Sequence, residues 1–349
     1  MKYLFVIFAI SFAVLLGAAQ IVFAGHLAAA CIDSGYNKAG GCQVGATYGD
    51  QGGSELQSCQ YRVVSNGEQT VGWTNASEGT CSGSQAFLWT NPITISGTGN
   101  CNDEGVAKCL IYAKAIDNGG NETTNQIATL DIDYSLPVVS ATNASSQWFT
   151  SRTTTLSVSD TGGSTLAQAR YSWDTNTMNS SCTSGGTTFT NGAVLTVAQG
   201  SHRLYLCARD GAGNLTSPNP WDSGADQYRV DYTAPTYQAF TVNGVFCSGF
   251  SCPATVTTSS PLTITWSASD TGGSGIQKHE VWRSKDGEPW FLIQDNAISP
   301  FSNTPPSSGT WWYGVHSVDN TGNCIQDNGG HCGGVSSDSL DDRTARGPI

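Results

Sequence analysis

The stretch LYLCARDGAGN, Leu204 to Asn214, constrains the fold more than any other, because it writes a strand and its stop signal in one short run. Leu204, Leu206 and Ala208 alternate with Tyr205, Cys207 and Arg209, the period of two that puts one apolar row on the buried face of a sheet. DGAGN ends the run. Gly211 and Gly213 are expected to take positive φ, and Asp210 and Asn214 to hydrogen-bond nearby backbone, closing a tight turn. The same device recurs in CLIYAKAIDNGGN, ending at Asn121, and in WWYGVHSVDNTGN, ending at Asn323. DQGGS, DTGGS and DTGGS begin at Asp50, Asp160 and Asp270, a spacing of 110 residues each time. IDYSLP closes the first unit at Pro137, VDYTAP the second at Pro235, and LDDRTARGP stands in the third position with Arg346 in place of proline. A fixed period of ordered markers means tandem repeats.

Each unit is about 100 residues long and no stretch beyond the N-terminal run has sustained helical periodicity, so the chain is expected to be all-β: three tandem sandwiches of immunoglobulin size. Two hairpins support this, one turning at Asn66 and Gly67, the other at Asp286 and Gly287. These markers resemble the bacterial immunoglobulin-like domain repeats of surface proteins, in which a D-x-x-G-N turn and a D-x-x-x-P linker recur in this order. The resemblance covers roughly residues 31 to 349. It implies a chain of β-sandwiches and no particular ligand, since such domains are scaffolds.

Lys2 and the apolar run from Tyr3 to Ala24, with small residues before Gly25, read as a secretory signal peptide. The length of the run also suits an uncleaved anchor, which would be the protein's one attachment to a membrane. The expected organisation is a leader over 1–24 and sandwiches over 25–136, 137–234 and 235–349, in a protein placed outside the cell or on its surface. Cysteines divide evenly along these boundaries: six in the first unit, Cys182 and Cys207 in the second, four in the third. Even numbers suit disulfides within domains, and elimination pairs Cys182 with Cys207. A competing reading makes Cys247, Cys252, Cys324 and Cys332 a zinc site with His331, against which CIQDNGGHC has too wide a spacing. The first unit has a longer interval between its two marker aspartates, with the extra residues near Cys81 and Cys101.

Net charge is −12 with only 15 Lys plus Arg, so no basic patch is available for nucleic acid. DTGG at Asp160 and Asp270 has the outline of an aspartic protease signature, but Gly163 and Gly273 stand where Ser or Thr is required, and a repeated inter-strand turn explains all copies. The five histidines are scattered without a repeated partner. The chain is therefore expected to be no enzyme and to need no cofactor. Structural calcium is the alternative to weigh: Asp133, Asp231 and Asp342 end strands beside the linkers, and Asp117, Asp210 and Asp319 end neighbouring ones, although turn formation alone selects Asp there.

Aromatic residues concentrate in the third unit. If Val281 and Tyr313 face inward, alternation sends Trp282 and Trp312 outward on adjacent strands, where with Trp290 they are expected to form an exposed face for a glycan or a cell-surface protein. Two functions follow as expectations: a non-enzymatic adhesive or structural array, or a carbohydrate-binding accessory chain of an exported hydrolase.

Overall fold

The computed structural model describes residues 22–23, 30–32, 35–77, 79–246, 260–285 and 289–324. Among these residues every regular element is a β-strand, arranged as three successive immunoglobulin-like sandwiches.

In the second sandwich, Val138–Ala141, Thr153–Ser159 and Ala193–Thr196 form one sheet, Thr187–Thr188, Leu166–Trp173, Leu204–Asp210 and Trp221–Asp222 form a second, and Ser145–Phe149, Tyr228–Val230 and Gly200–His202 form a third. Leu204, Leu206 and Ala208 are fully buried and meet Leu156 and Val158 across the sandwich, as their alternation requires. Burying each leucine is worth about 2 kcal/mol. Cys207, on the opposite face of its strand, is buried as well, because it is bonded to Cys182 and packed beside Met178. In the third sandwich, Val245–Phe246, Thr236–Val242, Leu262–Ser269 and Phe301–Asn303 face Phe291–Gln294, Ile276–Lys285 and Trp311–Asp319. Phe240, Ile264, Val281, Tyr313 and Val315 fill the space between them.

The first sandwich is the most elaborate. A five-stranded sheet runs in the order Tyr36–Asn37, Glu122–Ile132, Gly105–Asp117, Leu56–Ser65, Glu68–Asn75. Opposite it, Val22–Phe23, Gly45–Gly49 and Gln85–Trp89 make a second sheet, so two residues of the segment expected to be a leader pair with Ala46 and Thr47. The hairpin at Asn66 and Gly67 has the two-residue loop, with φ of 50° and 80°, that matches the right-handed twist of its strands. The strands of the third-unit hairpin pair from Arg283 to Phe291, while its turn residues lie outside the described residues. Disulfides link Cys31 to Cys42, Cys59 to Cys81 and Cys101 to Cys109. Cys324 is also disulfide-bonded, which removes it from any zinc-binding thiolate set; Cys247, Cys252, Cys332 and His331 lie outside the described residues.

The repeats agree down to register. Leu56 pairs with Asp117, Leu166 with Asp210 and Ile276 with Asp319, and each ladder shifts immediately afterwards by one residue. That bulge places the marker aspartate of the D-x-x-G-N turn at the same end of every sandwich, beside the DQGGS or DTGGS loop.

Candidate functional site

Within each D-x-x-G-N turn the aspartate is held from both sides by the asparagine four residues on. Asn214 donates from its backbone N–H to Asp210 Oδ1 at 2.8 Å and from Nδ2 to Oδ2 at 2.7 Å. Asn323 does the same to Asp319 at 2.9 and 2.7 Å, and Asn121 to Asp117 at 2.8 Å for both bonds. The preceding glycine supplies the positive φ in all three: 82° at Gly120, 90° at Gly213 and 92° at Gly322. Gly211 does not share this conformation, contrary to expectation. It is small for another reason, since a Cβ there would come within 2.7 Å of the Ser164 carbonyl oxygen.

These turns do more than reverse the chain, because the second and third receive the end of the preceding sandwich. Asp133 accepts a hydrogen bond from Ser164 N–H at 2.8 Å, and its carbonyl oxygen accepts one from Asn214 Nδ2 at 2.9 Å. Asp231 repeats both contacts with Ser274 N–H at 3.0 Å and Asn323 Nδ2 at 2.9 Å. Thr321 Oγ1 adds a further bond to the Asp231 carbonyl at 3.0 Å. The glycines of DTGGS make room for the incoming residue. A Cβ on Gly162 would overlap the Asp133 carboxylate, and one on Gly272 the Asp231 carboxylate. A Cβ on Gly163 or Gly273 would lie 2.8 Å from the ring of Tyr36 or Trp148, each contributed by the preceding sandwich. The linker is clamped on its other side as well: Tyr134 N–H donates to Glu104 at 2.7 Å and Tyr232 N–H to Gln199 at 3.1 Å.

Each junction thereby gathers three carboxylates. Asp133, Asp160 and Asp210 offer oxygens within 4.8 Å of one another, and so do Asp231, Asp270 and Asp319. Four of the six, Asp133, Asp210, Asp231 and Asp319, are fully buried, and among the described residues none of the six pairs with a Lys or Arg. Burial, and then the charges of Asp133 and Asp210, push the Asp160 carboxyl up from its ordinary value. Among the described residues its Oδ2 is buried without a hydrogen-bond partner. At Asp231 burial also acts upward, but hydrogen bonds from Ser274, Thr233 and Gln199 outweigh it and bring the carboxyl down.

The oxygen spacing fits a hard divalent cation, because ligands held at 2.3–2.6 Å around one ion lie within about 5 Å of each other. Asp133, Asp210, Asp231 and Asp319 were legible as candidate ligands; Asp342 lies outside the described residues, and Asp117 belongs to neither triad. Asp160 and Asp270 were read only as turn formers, yet each completes a triad. The signal that could have found them is their 110-residue recurrence together with the Asp of the linker. The two DTGG aspartates sit at different junctions, so they never form the paired carboxylates of a protease.

The tryptophan face of the third sandwich differs from expectation in exposure. Val281 and Tyr313 do point inward, and Trp282 and Trp312 share the opposite face as diagonal neighbours, with Trp282 across from Gly314 and Trp312 across from Ser284. Trp282 is nevertheless only 8% exposed, and Trp312 and Trp290 are half-buried. The cause is a buried polar layer. Trp282 Nε1 donates to Glu280 Oε2 at 3.3 Å, its ring lies 5.8 Å from that of His316, and Lys278 pairs with Glu280 at 2.5 Å. Interaction with His316, aided by Lys278 and Trp282 against the opposing effect of burial, holds the Glu280 carboxyl down to about 2. In the first sandwich the equivalent face carries an aromatic and cationic stack that residue-by-residue comparison of the repeats overlooks. Arg62 lies over Tyr112 at 4.6 Å and over Trp73 at 5.0 Å, with Lys114 over Trp73 at 4.8 Å. Trp73 comes from the neighbouring hairpin strand, so matching positions on one strand did not reveal it.

No family model matches the chain. Exoglucanase B of Cellulomonas fimi is 27% identical over 281 residues, which cover 76% of this chain and 24% of that protein. The chain thus spans about a quarter of that curated relative. Among solved structures, a run of titin domains aligns with a TM-score of 0.34 at 10% identity, over 88% of this chain and 96% of that one. A bacterial ice-binding adhesin aligns with a TM-score of 0.31 at 15% identity, over 81% and 87%.

Proposed function

We propose that this is a non-enzymatic exported protein whose three sandwiches act as a junction-locked spacer, holding an adhesive or binding surface at a set distance and angle. The observation that carries this reading is the insertion of Asp133 and Asp231 into the loops of the following sandwich. A flexible string of domains needs no buried carboxylate at its joints, since interfaces within a chain are usually small and polar and allow relative motion. Here each joint buries charge, and the triads Asp133–Asp160–Asp210 and Asp231–Asp270–Asp319 would hold a divalent cation such as Ca²⁺, which neutralises three carboxylates that otherwise repel. The disulfides favour an oxidising compartment, in agreement with an extracellular or surface location.

The second reading makes the chain a carbohydrate-binding accessory portion of an exported hydrolase, and the stretch shared with Exoglucanase B favours it. The proposed glycan face is that of Trp312 and Trp290, with Trp282 as the buried diagonal neighbour of Trp312 on the same sheet face. A screen of the exported protein on cellulose and on a cell-surface glycan array separates the two. Retention on cellulose, lost in Trp312→Ser, supports the accessory reading. Retention on cell-surface glycans, or on neither surface with calcium-dependent stiffness, supports the spacer. Release of soluble sugar from either surface overturns the non-enzymatic proposal.

A further inference from the structure

The five-stranded sheet of the first sandwich turns two transverse rows of side chains away from the core. In the first row Arg62 is paired with Tyr112, and Tyr112 with Gln126. The neighbouring hairpin strand pairs Thr74 with Tyr61 and Val71 with Val63, so Gly72 and Trp73 together oppose the single Arg62. That bulge re-aims Trp73 onto the same face, beside Arg62. In the second row Lys114 is paired with Gln60 on one side and with Thr124 on the other. Tyr61, Val63, Ile111 and Ala113, which alternate with these residues, are buried in the core. On the outward rows Arg62, Trp73, Tyr112 and Lys114 are half-buried, and Thr124 and Gln126 are exposed.

Arg62 is the informative residue. Its guanidinium lies against two rings, 4.6 Å from the centre of Tyr112 and 5.0 Å from that of Trp73. The rings attract the cation through their π faces but offer its five N–H groups no lone pair. Among the described residues Arg62 makes no hydrogen bond and no ion pair, and its Nε is buried without a partner. Lys114 Nζ, 4.8 Å from the Trp73 ring, has a single distant partner in Glu122 at 3.5 Å. The aromatic stack thus holds two cations in fixed positions while leaving their donors short of acceptors. Net charge of −12 opposes an anion at long range, but charges more than about 8 Å away are largely screened at physiological salt, so the local pair decides.

We propose that this face binds a carboxylated glycan, a polymer of uronic acids. Arg62 and Lys114 take its carboxylates, Trp73 and Tyr112 hold both cations in place, and Gln126 and Thr124 meet sugar hydroxyls. A planar guanidinium matches a carboxylate with two parallel hydrogen bonds, which a neutral sugar cannot return. The first row crosses four strands spaced about 4.8 Å apart, a flat surface about 14 Å long that suits an extended polymer. An acidic peptide fits less well, because peptide strands add to an open sheet edge, whereas Leu56–Ser65 and Gly105–Asp117 are central and paired on both sides. The site goes beyond the spacer reading and uses neither the junction triads nor Trp312.

Affinity electrophoresis of the exported protein through gels containing polygalacturonate tests this. EDTA in the gel prevents calcium from bridging the polymer to the junction aspartates, so the outcome is independent of the spacer reading. The parent should be retarded, less so as salt rises, and should run freely through the fully methyl-esterified polymer. Arg62→Gln should weaken binding about tenfold, the loss of hydrogen bonds to a charged group. Lys114→Gln, which leaves the Arg62 stack intact and serves as the test should Arg62→Gln fail to fold, should weaken it about threefold. Trp312→Ser should bind like the parent. A parent that is not retarded, equal retardation by the esterified polymer, or parental affinity in a folded Arg62→Gln or Lys114→Gln protein overturns the proposal.

Discussion

The loops at Asp50 and Asp270 have the same internal hydrogen bonds and opposite surroundings. At Asp270 the loop closes over Asp231 and the ring of Trp148; at Asp50 it faces outward. The difference teaches that these residues do not form the turn alone. Turn chemistry explains the D-x-x-G-N clasp and the glycines of positive φ. It does not explain Gly162 and Gly272, whose smallness answers to a neighbouring domain.

Glycine replacement breaks the comparison most sharply. Gly162→Ala and Gly272→Ala force a methyl group into a buried carboxylate and should cost roughly 4 kcal/mol, among the larger effects of a single substitution. Gly52→Ala, whose methyl group would meet the Asp50 carboxylate at 3.2 Å instead of overlapping it, should cost much less, about 1 kcal/mol. Chemical denaturation of the three variants gives the values, and equal losses would show that the glycines serve their own loops.

Acid separates junction from domain core. Glu280 is buried in the third sandwich beside His316 and Lys278, and its carboxyl is held down to about 2 from an ordinary 4.5. A carboxyl lowered on folding stabilises above its unfolded value, and that contribution is lost as pH falls through the folded one. The third sandwich should lose about 3 kcal/mol between pH 4.5 and 2. Glu280→Gln should flatten this acid limb without altering the junction. An unchanged limb in that variant would place the acid sensitivity elsewhere.

The asparagines give a finer distinction. Asn214 and Asn323 bond their own aspartate and the carbonyl of the preceding one, whereas among the described residues the Asn121 side chain bonds only Asp117. Asn214→Ala and Asn323→Ala should therefore cost about 1 kcal/mol more than Asn121→Ala, the value of one net hydrogen bond. Thermal melts of the three resolve it.

Much of the fold was legible because strand alternation and turn chemistry are local. Leu204 to Asn214 specified its own buried row, and the 110-residue spacing showed that two further units copied it. The junctions were harder to read. Asp133 reaches Ser164 and Asn214, which are far apart in sequence and lie in the next sandwich, and nothing local to IDYSLP says that its aspartate will be buried. Cysteine parity assigned bridges to domains but left the first unit's connectivity open, since six cysteines in one unit admit many pairings. Alternation also placed Trp282 on the right face while leaving open whether that face is covered. Its burial depends on Glu280, across the ladder from His316, with Lys278 beside it; such a polar cluster becomes visible only once the register is known.

The most direct test of the junctions is whether Asp231 fixes the orientation of the second and third sandwiches. Residual dipolar couplings, measured with calcium present, should fit a single alignment tensor across both domains in the parent protein. In Asp231→Ala each domain should keep its internal couplings but require its own tensor, with that of the third reduced by independent motion. A single tensor that survives the substitution would contradict a lock at this residue.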